Sequence, residues 1–166
     1  MGLKNLRVLF DTNIYGFMSE NPNSKEFIKA IIDSKIIVYG SIIIRNELRN
    51  IPKEKIVAEK NLRNVALGFY DTLVVEKRNY PITSLIQKLA KEYENNYFDV
   101  RSLEKLRNDF LIVATASVHD MDIVCSNDSK TMQADVCVQS YKISNKKFGL
   151  LLPRFIKFEE FTKLLK

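Results

Sequence analysis

The stretch VLFDTNIYGF, residues 8–17, passes from apolar to polar residues without a transition. Its first three residues are typical of a buried strand, whereas Asp11, Thr12 and Asn13 are residues that a core strand disfavours. A strand that stops on a carboxylate predicts either a helix N-cap or a functional acid at the strand end. Both alternatives stay open at this point.

Length and composition predict an ordinary globular protein. The chain has 166 residues, of which 46% are hydrophobic and 28% are charged. This length is sufficient to bury a core without disulfides or a structural metal. Lysine and arginine together number 26 against 20 acidic residues, so the net charge is +6. A positive charge suits a partner that carries phosphates, although many basic proteins bind no nucleic acid.

The cysteines and the apolar segments exclude several classes of protein. Cys125 and Cys137 are too far apart for a CxxC zinc motif, and we expect both to be buried thiols. No stretch reaches the roughly 18 apolar residues of a membrane span, and the first residues lack the apolar run of a signal peptide. We therefore expect a cytoplasmic protein that does not contact a membrane.

Strand patterns and helix patterns alternate along the chain. Strands are predicted at residues 6–10, 35–40, 122–126 and 150–152. Helices are predicted at residues 11–34 with a break near residue 22, and at 41–51, 53–71, 84–98, 101–122 and 159–165. This alternation indicates an α/β fold with a parallel sheet covered on both sides. Because no repeat or flexible linker interrupts the pattern, we expect a single domain over residues 1–166.

Two acids follow predicted strands. Asp11 comes directly after the strand at 6–10, and Asp128 lies just beyond the strand at 122–126. Ligands of parallel sheets bind outside the carboxyl ends of the strands. We therefore expect both carboxylates at one edge of the sheet.

Two further acids, Glu47 and Asp109, lie beside the apolar stripes of predicted helices. At 100° per residue, Glu47 is about 60° from the stripe that contains Ile44 and Leu48. Asp109 is offset in a similar way from the stripe formed by Leu103, Leu106, Phe110, Val113 and Ser117. A fully solvated acid would lie opposite such a stripe, so we expect both acids at the rim of a buried face.

Four acids brought together in this way would repel one another and raise each other's pKa. A divalent cation removes that repulsion. Oxygen ligands from Asp and Glu suit Mg²⁺ or Mn²⁺, whereas a zinc site would more often include His or Cys. The combination of acids therefore predicts a magnesium or manganese site.

Each acid taken alone also has a structural explanation. Asp11 or Asn13 can cap a helix, and residues 126–128 are good turn formers. Glu47 can pair with a neighbouring arginine on a helix surface. Only the four acids together favour a metal site.

Other catalytic chemistries have less support. His119 is the only histidine, and it lies near the predicted C-terminus of a helix without a Ser or Cys nucleophile motif. The sequence contains neither GxxxxGK[ST] nor GxGxxG, so nucleoside-triphosphate and dinucleotide binding are not predicted.

The sequence resembles the PIN-domain nucleases, which include the VapC toxins of toxin–antitoxin pairs. The segments that carry this resemblance are VLFDTN (8–13), SIIIRNEL (41–48), NDFLIVATAS (108–117) and DIVCSND (122–128). Residues 152–165 are similar to the family's final strand and helix. The chain departs from the family at Ser126, where Thr is common, and at Asn127, which separates Ser126 from Asp128.

The resemblance implies a Rossmann-like, three-layer α/β/α sandwich with a mostly parallel central sheet, dependence on Mg²⁺ or Mn²⁺, and cleavage of RNA. The catalytic and metal-binding residues that it implies are Asp11, Glu47, Asp109 and Asp128. The residues expected to orient these acids or a bound water are Thr12, Asn13 and Ser126. The family also implies a small antitoxin-type inhibitor protein as a partner and dimerisation through helices.

Basic residues are candidates for contacts with RNA, and exposed apolar residues are candidates for a dimer interface. Arg45, Arg49 and Lys53 follow one another near the second acid and are candidate RNA contacts, with a solvated helix face as the alternative. The apolar candidates for a homodimer interface, with the core as the alternative location, are Phe17, Met18, Phe69 and Tyr70.

The predicted function is a divalent-metal-dependent endoribonuclease, with the toxin of a toxin–antitoxin pair as one role. The alternative is a catalytically inactive RNA- or protein-binding module of the same fold, whose carboxylates are only caps. An aspartate-phosphorylating enzyme is disfavoured because DTN lacks the second acid of a DxD motif.

Overall fold

The computed structural model describes residues 5–99 and 103–165. Its centre is a parallel five-stranded sheet with the strand order β5-β2-β1-β6-β7. These strands are β1 (Leu6–Phe10), β2 (Ile36–Ser41), β5 (Asn79–Tyr80), β6 (Ile123–Cys125) and β7 (Arg154–Ile156). The predicted parallel sheet is confirmed, and β1 lies at its middle.

Eight α-helices accompany the sheet in the described ranges, as expected for an α/β/α sandwich. They are α1 (Thr12–Glu20), α2 (Ser24–Asp33), α3 (Ile42–Arg49), α4 (Leu62–Leu73), α5 (Ser84–Asn95), α6 (Leu103–Val118), α7 (Asp135–Phe148) and α8 (Phe158–Thr162). Helix α4 packs against α1 and α3, whereas α5 packs against α6 and α7. No helix in the described ranges is long and apolar enough to cross a membrane.

Strand β1 is a central strand, because it pairs with β2 along one edge and with β6 along the other, and its residues 8–10 are buried on both faces. Val8 is in register with Val38 and Ile123, and its side chain is fully buried. Phe10 packs edge-on against Phe161, with 4.9 Å between the ring centroids. A continuous apolar run is what such a doubly covered strand requires.

The strand order places a topological switch point beside β1. The chain adds β2 and β5 on one side of β1, and only later β6 and β7 on the other side. The connections that follow β1 and β6 therefore run in opposite directions and leave a crevice at the carboxyl ends of these two strands. Open α/β sheets bind ligands in such a crevice.

The prediction of one helix over residues 53–71 was wrong in its first half. Residues 56–61 form a short antiparallel hairpin of β3 (Ile56–Val57) and β4 (Lys60–Asn61), and α4 begins only at Leu62. Ala58 and Glu59 adopt φ values of 48° and 64° in the turn. The side chain of Asn61 then caps α4 by accepting a hydrogen bond from the Asn64 N–H. Asn61 therefore marks the start of the helix, a signal that the helical reading of this segment overlooked.

Two corrections concern the C-terminal third. The strand predicted at 150–152 lies at Arg154–Ile156 instead, where it pairs with β6. Helix α7 was not predicted, and it ends at Gly149 in the left-handed conformation with φ of 67°. Val100, Arg101 and Ser102 lie outside the described residues, so the predicted start of α6 at residue 101 has no structural counterpart here. Both cysteines are buried and unpaired, as predicted.

The glycine at position 40 is required by a close approach. An added Cβ would lie 2.1 Å from the hydroxyl oxygen of Tyr70. That hydroxyl donates to the carbonyl oxygen of Ser41 (3.1 Å) or to Oδ1 of Asn79 (2.6 Å). Strand β2 and helix α4 are therefore tied together at the point where β2 ends.

Candidate active site

Asp11 lies at the switch point, directly after β1. Its side chain is 5% exposed, and its backbone N–H donates to the carbonyl of Cys125 at 2.9 Å, which links β1 to β6. One carboxylate oxygen accepts from the Thr12 N–H at 2.7 Å, so Asp11 caps α1 as the structural explanation proposed. The other oxygen accepts from Asn13 Nδ2 and from Ser126 Oγ, each at 2.7 Å.

The surroundings of Asp11 make its ionisation less favourable than that of a carboxyl group in water. Burial is the largest cause, and it raises the pKa of Asp11 to about 6. Hydrogen bonds from Ser126 and Thr12 oppose this rise, whereas the negative charges of Glu47 and Asp128 add to it. If Asp11 served only as a helix cap, the carboxylates of Glu47 and Asp128 would not need to lie near it.

Asp109 lies on α6 and faces the same crevice. Burial first, and then the charge of Asp11, raise the pKa of Asp109 to about 7. Glu47 and Asp128 contribute in the same direction, while a hydrogen bond from Thr131 opposes them. Because these charges act on one another, the structure places all four predicted acids in one electrostatic neighbourhood.

Thr131 joins Asp109 to Asp128. Its hydroxyl contacts Asp109 Oδ2 at 2.9 Å and also Oδ2 of Asp128. Oδ1 of Asp128 accepts from the backbone N–H groups of Lys130 and Thr131, each at 2.9 Å, as in a polar turn. Burial opposes ionisation of Asp128, but these hydrogen bonds outweigh burial and hold its pKa below the ordinary value. The turn that contains Asp128 therefore favours its ionised form.

Glu47 points from α3 toward the same group of acids. The Thr12 hydroxyl donates to Oε2 of Glu47, and Asn108 Nδ2 donates to Oε1 at 2.8 Å. Arg45 on the same helix instead pairs with Asp71 of α4, with 3.2 Å between Nη2 and Oδ2. Glu47 is therefore hydrogen-bonded to Thr12 and Asn108, whereas the neighbouring Arg45 pairs with Asp71.

The three predicted orienting residues all lie in this network. Thr12 contacts Glu47, while Asn13 and Ser126 donate to Asp11. Asn13 Nδ2 also approaches Ser126 Oγ at 3.0 Å.

Sequence reasoning assigned no role to Asn108 and did not consider Thr131. Asn108 could have been noticed as the residue before Asp109, and Thr131 as the residue three positions after Asp128. Their hydrogen bonds to Glu47 and to Asp109 depend on the tertiary fold.

The basic candidates lie on α3 and in the segment after it, and Arg45 and Arg49 are on the opposite face of α3 from Glu47. Arg45 and Arg49 line a cavity of about 440 Å³ between α3 and α4, together with Tyr70 and Asp71. Lys53 is exposed before the β3–β4 hairpin, and its carbonyl accepts a hydrogen bond from the side chain of Asn61.

His119 stacks on Tyr80 with 3.5 Å between ring centroids, in a group of aromatic residues that includes Tyr39. Burial, and then the charge of Arg7, lower the pKa of His119. Its position does not support a role as general base for the acidic site.

The donor set fits a hard divalent cation, although the carboxylates are not closed into a ligand shell. Across residues 5–99 and 103–165, no three His, Cys, Asp or Glu side chains already stand at metal-binding separation. The Thr12 hydroxyl is hydrogen-bonded to Glu47, and the Thr131 hydroxyl is hydrogen-bonded to Asp109.

Asp11 and Asp109, whose pKa values are raised by burial and by neighbouring carboxylates, are oxygen donors that Mg²⁺ or Mn²⁺ would neutralise. The thiols of Cys125 and Cys137 are also buried near these acids, but burial raises the pKa of both, so neither is a thiolate ligand.

Several solved structures are similar to this chain at low sequence identity. The structure of VapBC2 from Rickettsia felis bound to a DNA fragment from its promoter superposes with a TM-score of 0.52 at 11% identity, covering 92% of this chain and 99% of the other. FitAcB from Neisseria gonorrhoeae gives a TM-score of 0.46 at 18% identity, covering 83% and 93%. FitAB bound to an IR36 DNA fragment gives 0.47 at 19% identity, covering 90% and 94%.

The similarity to the Rickettsia felis structure, at 11% identity, supports the fold alone. A search of curated proteins found no match. The sequence matches the family model of the PIN domain over residues 8–137, a range that contains Asp11, Glu47, Asp109 and Asp128. This match covers most of the chain, and it agrees with the parallel sheet and with the acids at its carboxyl edge. The chain belongs to the PIN-domain family.

Proposed function

We propose that the protein is a divalent-metal-dependent endoribonuclease that hydrolyses RNA phosphodiester bonds. The observation that carries this proposal is the convergence of four carboxylates at the switch point of a PIN-domain sheet. Two of them, Asp11 and Asp109, have pKa values raised to about 6 and about 7 by burial first and then by neighbouring carboxylates. Groups with perturbed pKa values that share one crevice are typical of functional sites.

The residues that would hold Mg²⁺ or Mn²⁺ are Asp11, Glu47, Asp109 and Asp128. The metal would supply Lewis-acid chemistry, lowering the pKa of a bound water and offsetting negative charge on the phosphodiester. Hydrolysis by water requires no 2′-hydroxyl nucleophile, so the products carry 5′-phosphate and 3′-hydroxyl ends.

The hydroxyl and amide groups of the chain position these carboxylates. Asn13 and Ser126 fix the rotamer of Asp11, and Asn108 fixes one oxygen of Glu47. The Thr131 hydroxyl lies between Asp109 and Asp128 and contacts an oxygen of each. Such supporting hydrogen bonds orient ligands so that little reorganisation is needed when a substrate binds.

RNA is the proposed substrate because of the family and the net charge of +6. Arg45, Arg49 and Lys53, on α3 and in the segment after it, are the proposed phosphate contacts. Arg45 would exchange its ion pair with Asp71 for a phosphate. Binding through phosphate contacts weakens as salt concentration rises. We therefore expect RNA binding to fall steeply between low and high salt.

We extend the proposal to the toxin of a toxin–antitoxin pair, with a small antitoxin-type inhibitor protein and a second copy of the chain as partners. The Rickettsia felis complex that shares the fold is a VapBC2 assembly, and that parallel motivates the extension. Expression of the chain alone should arrest growth, and the Asp11→Asn variant should not. Normal growth with an active soluble nuclease would instead favour a processing role.

The test of the nuclease activity is cleavage of labelled single-stranded RNA in Mn²⁺, in Mg²⁺ and in EDTA. Wild type should cut only with metal, and Asp11→Asn and Asp109→Asn should lose cleavage while remaining folded. Asp33→Asn, an exposed residue of α2, is the matched control and should cut like wild type. Inert wild type with metal-independent RNA binding would favour a binding module of the same fold.

A further inference from the structure

A second cavity lies directly beside the acidic site. It has a volume of about 440 Å³, within the range of about 300–1,000 Å³ that is usual for ligand pockets. Two of its lining residues, Thr12 and Asn13, are those that contact Glu47 and Asp11. The cavity is therefore lined by residues that contact two of the acids, unlike the cavity between α3 and α4.

One wall of this cavity is a single face of α1. Asn13, Gly16, Phe17 and Glu20 follow the spacing of three and four residues that places side chains on one side of a helix. Phe17 is 43% exposed, and its ring touches Phe158 with 5.3 Å between centroids. The ring is thus supported from one side and still presents surface to the cavity.

The opposite wall comes from the segment between α3 and α4. Ile51, Pro52 and Leu62 supply apolar surface, and Lys55 supplies a cation. The backbone of Lys55 is fixed at both ends, because its N–H donates to Pro52 and its carbonyl accepts from the N–H of Leu62. The β3–β4 hairpin therefore holds this wall in place.

Gly16 keeps the cavity open. It is an interior residue of α1, where glycine weakens a helix relative to alanine. An added Cβ would meet no described atom within 4 Å, so packing within the described residues does not require glycine here. Any larger side chain at this position would project into free space along the cavity wall.

We propose that this cavity is the subsite for the unpaired base of a nucleotide next to the cleaved phosphodiester, an inference that rests on the proposed ribonuclease activity. Phe17 offers the stacking surface, and Lys55 offers a cation for the adjoining phosphate. Proteins that recognise single-stranded RNA combine aromatic stacking with positive charge in this way. Glu20 supplies an acceptor for the edge of the base, and Asn13 links this cavity to Asp11 through its hydrogen bond.

Two variants test the subsite without altering a carboxylate. Gly16→Leu fills the cavity with a good helix former, and Phe17→Ala removes the stacking surface. Gly68→Leu is the matched control, because Gly68 is also an interior helical glycine with open space around its Cβ position but lies outside this cavity. Thermal melting should show all three variants to be folded.

The measurement is kcat and KM for cleavage of a mixed-sequence single-stranded RNA whose cut positions are first mapped with wild type. The same RNA is then made with an abasic ribose on either side of one cut position. For wild type, kcat/KM should fall by about 5- to 150-fold on removal of one flanking base, the range expected for one stacked base. Gly16→Leu and Phe17→Ala should raise KM and lose this sensitivity, and Gly68→Leu should retain it.

The outcomes separate this inference from the proposed function. If all variants cut with the same KM and the same abasic penalty, the subsite is wrong and the ribonuclease assignment stands. If Gly16→Leu changes only the oligomeric state, the cavity receives a protein side chain, and the inference is again wrong. If wild type cuts no RNA with metal, both the ribonuclease and its subsite are refuted.

Discussion

Replacing Asp109 with asparagine should stabilise the metal-free protein while abolishing its activity. The carboxylate accepts one hydrogen bond, from Thr131, and asparagine keeps an oxygen that can accept it. What the substitution removes is a negative charge that is partly buried and lies near Asp11, Glu47 and Asp128. The variant thus separates the cost of the charge from the packing of the side chain.

The magnitude follows from the pKa. Asp109 moves from an ordinary 3.8 to about 7 in the folded protein, and each unit corresponds to about 1.4 kcal/mol, so ionisation costs at most about 4 kcal/mol of folding free energy. Because the folded state binds this proton more tightly than the unfolded chain, stability falls as pH rises from about 4 to about 7. Asp109→Asn should therefore gain about 1.5 kcal/mol at pH 5 and up to about 4 kcal/mol at pH 8.

Urea unfolding in EDTA at pH 5 and pH 8 measures this difference, with Asp33→Asn as the control for loss of a surface charge. Mn²⁺ at 100 times its Kd should stabilise wild type by about 2.7 kcal/mol, which reverses the order at pH 5 and narrows the difference at pH 8. The reasoning is refuted if Asp109→Asn is less stable than wild type at pH 8, or if its advantage is the same at both pH values.

Three further substitutions test the supports of the site. Thr131→Val removes the hydroxyl that contacts both Asp109 and Asp128. The Mn²⁺ concentration for half-maximal cleavage should rise by about 10- to 100-fold, and an unchanged concentration would refute the role of Thr131 in positioning these acids. Gly40→Ala places a Cβ 2.1 Å from the Tyr70 hydroxyl oxygen. Urea unfolding should show that the free energy of unfolding falls by about 1–3 kcal/mol, whereas an unchanged value would mean that β2 and α4 can move apart. Ser41→Ala removes the N-cap of α3; the same measurement should show a loss of about 1 kcal/mol, whereas no loss would mean that another group satisfies the freed N–H.

The parallel sheet and the placement of the acids were predictable because both follow from local patterns. The apolar run before Asp11 fixes β1 as a central strand, and an acid after such a strand must lie at the carboxyl edge. The offset of Asp109 from the apolar stripe of α6 likewise follows from helix geometry. The structure brings these acids together, and their mutual effect on pKa appears only in the folded chain.

The missed elements depend on context that a single segment does not contain. Residues 56–61 alternate too briefly to indicate strands, and their turn relies on Ala58 and Glu59 in a left-handed conformation that neither residue favours. Helix α7 carries polar residues in its buried part, where Asn145 accepts a hydrogen bond from the Tyr93 hydroxyl at 2.6 Å. An apolar stripe broken by buried polar groups gives a weak helical signal.

The shift of the last strand has a related cause. Leu150 to Leu152 look like a strand by composition, but Leu151 is exposed and its carbonyl accepts from the Asn145 side chain. The ladder with β6 begins only after Pro153, at Arg154, because proline cannot donate a ladder hydrogen bond.

Titration of the metal-free protein with Mn²⁺, followed by calorimetry, tests the central claim most directly. The account predicts saturable binding to wild type, release of protons near pH 6.5 as Asp11 and Asp109 ionise, and loss of binding in Asp11→Asn and Asp109→Asn. Asp33→Asn should bind like wild type. Absence of binding to wild type, or equal binding by all four proteins, would contradict the claim that these carboxylates form a metal centre.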